Sequence, residues 1–363
     1  MRTIDFRSDT QTLPSPNMLK AIQTAKLGDD VTHEDPTVND LEKFGAKLLG
    51  KESSVLVSSG TMGNLIGVLI HCNRGEEVIA GAMSHICRGE AGGISVLGGV
   101  AIQPINTAPD GTLPIEDIET AIKPDDYHFP ITKLISVENT HNATGGKPLT
   151  PSYMSEVKSL AKKHNLKIHV DGARLFNACT ALDLDAKTIL NSVDTVTFCL
   201  SKGLSAPIGS IICGTQEFIS KARRIRKSLG GGMRQTGIIA AAGMVSLNNM
   251  VDILKDDHSN AYYLAEALST LKEIEILIGR KLSFKNHPRI CDIDIIDYDQ
   301  KNLKINNDNQ KLTIPHPKLH ERNFVLLPLY EISKDWLHPK KNKKISELLR
   351  DLDVNNLRSI KQL

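Results

Sequence analysis

The chain lacks the cysteine patterns that carry metal or redox chemistry. Its six cysteines, Cys72, Cys87, Cys179, Cys199, Cys213 and Cys291, form no C-x-x-C pair and no zinc-like spacing. Several sit inside apolar runs, which suits reduced core thiols and a cytoplasmic setting. No hydrophobic run is long enough to cross a bilayer, and Met1 to Asp9 has no apolar segment of the leader type. Charge of one sign is missing too. A formal net charge of +2 argues against a nucleic acid or an anionic membrane as partner, and the small basic cluster Lys340–Lys344 reads as a solvated face. Internal repeats and low-complexity tracts are also absent.

What is present is alternation. Short apolar runs at Val78–Ala80, Ala101–Ile105, Leu134–Val137, Ile168–Val170, Thr195–Leu200 and Ser210–Cys213 are separated by helix-like stretches such as Tyr153–His164. This predicts an α/β fold with a mostly parallel sheet and helices on both faces, and a site beyond the carboxyl ends of the strands. A long helical stretch follows over Gln235–Ile276. Past about Gly279 the alternation is lost, and Asn302–Gln310 reads as an exposed polar loop.

Two strand ends stand out. Asp171 closes Lys167-Ile-His-Val-Asp, and Lys202 closes Thr195-Val-Thr-Phe-Cys-Leu-Ser-Lys. Alone, Asp-Gly after a strand is an ordinary turn and a lysine an ordinary surface charge. Together they are what pyridoxal phosphate (PLP) needs: an amine to bond the cofactor aldehyde, and a carboxylate to keep the pyridine nitrogen protonated. Ser59, Gly60 and Thr61 follow an apolar run and open a helical one, a place for a phosphate, although most such loops are turns. Arg234, after three glycines, is a second phosphate candidate. His85 is placed to lie flat on a pyridine ring and His141 to act on a substrate hydroxyl, although either histidine also reads as a satisfied structural one. Arg174 is placed to reach the cofactor oxygen or a substrate carboxylate.

Six ordered motifs carry a resemblance. Asp5-Phe-Arg-Ser-Asp-Thr, Ser59-Gly-Thr-Met-Gly-Asn, Glu138-Asn-Thr-His-Asn, His169-Val-Asp-Gly-Ala-Arg, Ser201-Lys-Gly-Leu-Ser-Ala-Pro and Leu229-Gly-Gly-Gly-Met-Arg-Gln resemble the low-specificity L-threonine aldolases of the β-eliminating lyase group. The likeness runs from about residue 4 to about residue 267. It implies the PLP-dependent transferase-like fold (fold type I) and retro-aldol cleavage of a β-hydroxy-α-amino acid to glycine and an aldehyde. It implies Lys202 as the cofactor lysine, Asp171 at the pyridine nitrogen and His85 on the ring. Ser59, Gly60, Thr61 and Arg234 would surround the phosphate, while Ser8 and Arg174 would hold the substrate carboxylate. His141 would lie near the β-hydroxyl. Lys227 would approach the cofactor from a neighbouring subunit, implying a homo-oligomer, dimer or tetramer.

The pattern then changes. A further carboxylate-clamping arginine, which the resemblance places in a carboxyl-terminal domain, is not recognisable in this chain. Asp292 and Asp294, two apart on a strand, share a face and suit a Mg²⁺–nucleotide site or simply a solvated acidic face. With Arg289, His316 and Arg322 they resemble the carboxyl-terminal half of hydroxymethyl-dihydropterin pyrophosphokinase, a ferredoxin-like α+β enzyme of the folate pathway, whose first half is missing here. That implies Mg²⁺ with ATP in this segment. The division expected is therefore an aldolase-like domain over 1–270 and a partial pyrophosphokinase-like segment over 271–363. A pyrophosphokinase fragment and a non-catalytic fused product are the alternatives to a working aldolase.

Overall fold

The structure is a computed structural model that describes residues 4–5, 7–277, 294–297, 300, 302–306 and 311–352. It falls into two compact units, one of residues 12–259 and one of residues 1–11 with 260–363.

The larger unit is built on seven strands. They are β2 (Ser53–Val57), β3 (Glu76–Gly81), β4 (Ala101–Ile105), β5 (Ile131–Glu138), β6 (Lys167–Gly172), β7 (Thr195–Cys199) and β8 (Ser210–Gly214), with β1 (Ile4–Asp5) in the other unit. The order is β2-β8-β7-β6-β5-β3-β4, and β8 alone runs against its neighbours β2 and β7. Strands β5 to β8 are buried at almost every position, as expected where helices cover both faces. Alternation sorts their side chains. Leu56, Ile79, Ile135, Val137, Ile168, Val170 and Ile211 enter one core, whereas Val55, Val57, Val78, Ala80, Leu134 and Ile212 enter clusters on the opposite face.

Helix boundaries follow their caps. Pro36–Leu49 starts behind Asp35, whose side chain accepts from Val38 N–H, and stops at Gly50 in the left-handed region. Gly60–His71 starts behind Ser59, which accepts from Met62 N–H, and Pro151–Lys163 starts behind Thr150. Ser53–Val57, visible in the sequence only as an apolar run, is a full strand because β8 turns back to pair with it. The continuous helix expected over Gln235–Ile276 is instead three pieces, Gly237–Val245, the π-turn Ser246–Met250 and Leu254–Leu277. There Ser246 Oγ and Asn248 Nδ2 donate to the Ala242 and Met244 carbonyls, competing with the helical ladder.

In the smaller unit β1 pairs in parallel with β9 (Leu303–Asn306), and β10 (Lys311–Ile314) runs antiparallel on the other side of β9. Both edges of β9 are thus covered. A small core of Leu319, Leu326, Leu329, Trp336, Ile345, Leu348 and Leu352 forms there, and Trp336 Nε1–H donates to Asp297 at 2.7 Å. No single helix among the described residues is long and apolar enough to cross a membrane.

Helix Gly60–His71 lies unusually close to the sheet. A methyl at Gly63 would sit 2.4 Å from Thr197 Cγ2, and one at Gly67 2.6 Å from His169 Cε1. Gly63→Ala should therefore destabilise the protein by roughly 1–3 kcal/mol through overpacking. Gly93→Ala, whose methyl meets only Leu65 at 3.9 Å, should stay within about 0.5 kcal/mol. Urea unfolding of the two variants measures the contrast.

Candidate active site

The carboxyl ends of β5, β6 and β7 and the start of helix Gly60–His71 bring most of the predicted residues together. Ile168 and Val170 point into the main core, so His169 and Asp171 must point to the opposite face, toward that helix. Asp171 is 3% exposed. Its Oδ2 accepts from Asn64 Nδ2 at 2.8 Å and its Oδ1 from Ala173 N–H at 3.1 Å.

The same Asn64 nitrogen donates to Glu90 Oε1 at 2.8 Å, and Glu90 Oε1 also holds His85 Nδ1 at 2.8 Å. His85, Glu90 and Asp171 each offer an atom within 4.8 Å of the others. The His85 ring lies against Gly89, where an added methyl would be 2.6 Å from Cδ2. The hydrogen bond from Glu90 raises the His85 pKa above the usual imidazole range, with Asp171 adding to the effect and Lys202 opposing it. Burial pushes the Glu90 carboxyl upward, against the bonds from His85 and Asn64. Neither Asn64 nor Glu90 was singled out in the sequence: Asn64 sits in an apolar helix and Glu90 between two short helices.

Glu138, at the tip of β5, ties two loops. Its Oε2 accepts from His85 N–H at 2.8 Å and its Oε1 from Asn142 N–H at 2.9 Å. Burial, then the neighbouring Asp171, raises its pKa. His141 between these contacts is 2% exposed. Thr144 Oγ1 donates to the His141 carbonyl at 3.3 Å and lies 3.2 Å from Nδ1. Both contacts are satisfied when Nδ1 carries the proton, which leaves Nε2 as the basic nitrogen. That Nε2 is buried and has no hydrogen-bond partner among the described residues. Asn142 Oδ1 accepts from Arg174 Nη1 at 3.2 Å, which brings Arg174 to the same loop.

Lys202 follows β7 and lines a small recess with Arg174, Asn177 and Cys199. Cys199 is buried, and burial raises its thiol pKa while Lys202 lowers it. Gly60 lets the predicted phosphate loop close on this strand end, since a methyl there would be 2.9 Å from Cys199 Sγ. Gly60 and Thr61 are the first two residues of the helix, where backbone N–H groups have no intrahelical acceptor.

Other predicted residues sit apart from this cluster or in other surroundings. Arg234 spends Nη1 on Asp29 Oδ2 at 2.8 Å. The stem of Lys227 packs on Gly232, where a methyl would be 2.6 Å from Cδ. Ser8 belongs to the smaller unit, where its Oγ accepts from Thr10 N–H and Oγ1–H at 3.2 and 2.9 Å. Of the tail residues, Arg289 and Asp292 lie outside the described residues. Asp294 is paired to Arg322 at 2.5 Å, and His316 Nδ1 accepts from Lys318 N–H at 3.2 Å. A separate surface cleft is lined by Lys51, His71, Lys167, Asp194 and Lys221, but its lysines are already engaged: Lys51 with backbone carbonyls, Lys167 with Asp194 and Lys221 with Glu217.

A buried carboxylate, a histidine held close to it and a lysine, each at or just beyond a strand end, fit the PLP requirement, and the buried His141 Nε2, without a partner among the described residues, fits a proton acceptor. Comparison with known proteins agrees. The profile of the β-eliminating lyases matches residues 5–280. The low specificity L-threonine aldolase of Escherichia coli K12 is 50% identical over 265 residues, covering 73% of this chain and 79% of that one. A probable low-specificity L-threonine aldolase 2 of Arabidopsis thaliana is 50% identical over 282 residues, covering 77% and 79%. Among solved structures, a threonine aldolase of Leishmania major superposes with a TM-score of 0.63 at 21% identity, covering 98% of both chains. By profile, identity and fold this chain belongs to the β-eliminating lyase family, on the fold type I sheet of PLP-dependent enzymes.

Proposed function

We propose that this protein is a PLP-dependent carbon–carbon lyase that cleaves L-threonine and L-allo-threonine, and related β-hydroxy-α-amino acids, to glycine and an aldehyde. The observation that carries the reading is the buried, unpartnered Nε2 of His141 beside the Asp171–His85 cluster. A lyase of this type needs a base for the β-hydroxyl proton, held away from water and not already spent on another donor.

When bound, PLP supplies the electron sink that accepts the charge left on the α-carbon. The chain's own residues do the rest. Lys202 would provide the amine that holds the cofactor. Asp171, fixed by Asn64 and Ala173, would offer an acceptor to the pyridine nitrogen. His85, held by Glu90 and Glu138, would pack against the cofactor. Ser59, Gly60 and Thr61 take the phosphate at the helix start, with Arg234 as a further contact. Arg174 holds the substrate carboxylate, and Lys227 acts across a subunit boundary. His141 Nε2 takes the β-hydroxyl proton as the Cα–Cβ bond breaks. The five described cysteines are free thiols, which supports a cytoplasmic setting. A homo-oligomer, dimer or tetramer, completes the reading.

For the tail, 271–363, the pyrophosphokinase resemblance implies Mg²⁺ and ATP as ligands, but its described residues do not support that reading. Its Arg322 is neutralised by Asp294 and faces Phe324 at 5.7 Å, so neither the arginine nor that carboxylate is poised for a nucleotide. For the aldolase, the missing clamp arginine is expected to cost about 2–4 kcal/mol of transition-state binding.

Three outcomes test these readings. Added PLP should give the purified protein a visible absorption band that Lys202→Ala abolishes; a wild-type protein without the band would end the cofactor reading. His141→Phe should lower kcat for glycine release from threonine by about 10²–10⁴-fold with little change in the PLP band. Saturating Mg²⁺–ATP should leave the melting temperature unchanged, and a rise would instead establish a formed nucleotide site in the tail.

A further inference from the structure

Asn64 occupies a place in the site that no motif role accounts for. Its nitrogen faces two carboxylates, Asp171 Oδ2 and Glu90 Oε1, each at 2.8 Å. Its oxygen faces His169 Nε2 at 3.2 Å. Carboxylates only accept, so the nitrogen must be the end that faces them, and the oxygen must receive a proton from His169 Nε2–H. His169 Nδ1 is then the accepting nitrogen and takes the Thr195 hydroxyl proton at 3.0 Å. Thr195 Oγ1 in turn accepts from His71 Nε2–H, also at 3.0 Å. Every donor in this chain has one acceptor, and each link allows only one direction.

Both histidines stay neutral. Burial pushes His169, fully enclosed, down to about 3, and His71 down to about 4. A charged ring would have to donate from both nitrogens and would break the order. The glycines of helix Gly60–His71 make the arrangement possible, because only Gly67 leaves room for the His169 ring.

We propose that Asn64 is a positioning residue for cofactor binding: one amide nitrogen holds Asp171 toward the pyridine nitrogen and Glu90 toward His85, and the buried chain His169–Thr195–His71 fixes the amide in that orientation. This rests on the PLP reading for its function but not for its geometry. The charged groups facing His85 are Glu90 from its own loop, Glu138 from β5, Asp171 from β6 and Lys202 from the segment after β7. Without the Asn64 donor the Glu90 carboxylate loses one of its two stabilising bonds, which weakens its hold on the His85 proton.

The test uses histidine-labelled NMR of the cofactor-free full chain, with PLP binding measured separately. In Asn64→Leu, His85 should titrate about one pH unit lower, and the PLP dissociation constant should rise about tenfold or more. Glu90→Gln should reproduce the His85 shift, and Thr195→Val should shift it in the same direction by less. Ile66→Val, fully buried on the same helix, should lower the melting temperature and leave His85 alone. If Asn64→Leu and Glu90→Gln fold with His85 titrating as in the wild type, the proposal is overturned. Should Asn64→Leu fail to fold, Glu90→Gln and Thr195→Val decide by the same criterion. A wild-type protein that binds no PLP would remove the proposed function, while the NMR series would still settle the role of Asn64.

Discussion

The site depends on burying three carboxylates, Glu90, Glu138 and Asp171, at one end of the sheet. Each is 6% exposed or less. A buried carboxylate without donors is strongly unfavourable, and two near one another also repel. Here the cost is met by five donors: Asn64, His85 twice, Asn142 and Ala173. Four of them come from loops or a helix that otherwise share no hydrogen-bonded ladder. Satisfying the acids therefore fixes the loops, and the loops carry His85, His141 and Arg174.

A second set of acids holds the turn before helix Pro36–Leu49. Asp30 pairs with the buried Arg226 at 2.8 Å, and Asp29 with Arg234 at 2.8 Å. Asp35 accepts from Gly28, Val38 and Gly237 N–H groups. Segments about 200 residues apart in sequence are joined by these contacts. The glycine-rich run Gly230–Gly232 thus ends in a fixed position, with Gly231 close against Met62 of helix Gly60–His71.

Much of the fold was legible because the β-strands from β5 to β8 are buried on both faces and so read as short, largely apolar runs. Asp171 and Lys202 were legible because a charge at the end of such a run breaks it. Asn64 and Glu90 were not. Asn64 is one polar residue among the apolar ones at the middle of its helix, and its meaning comes from acids 26 and 107 residues away. His169 was visible inside its motif, but its role depends on facing the helix glycines, which sequence spacing alone does not specify. The break at Ser246–Met250 was hidden for a different reason: the alanines and methionines around it suit a continuous helix, and side chains competing for carbonyls decide otherwise.

The parallel pairing of Ile4 with Leu303 and of Asp5 with Lys304 has a consequence for how the chain is made. Residues 12–259 hold all seven strands of their own sheet and can close on themselves as they emerge from the ribosome. The first strand cannot, because its partner is synthesised about 300 residues later. Closing so long a loop costs little more free energy than closing a medium one, since the entropy grows only logarithmically with length. The delay is instead one of time. At roughly 5–20 residues per second, the leading segment spends on the order of tens of seconds without its sheet. Order of synthesis and order of assembly therefore differ here: β1 is made before the seven-stranded sheet, and its own partner strand is made after that sheet.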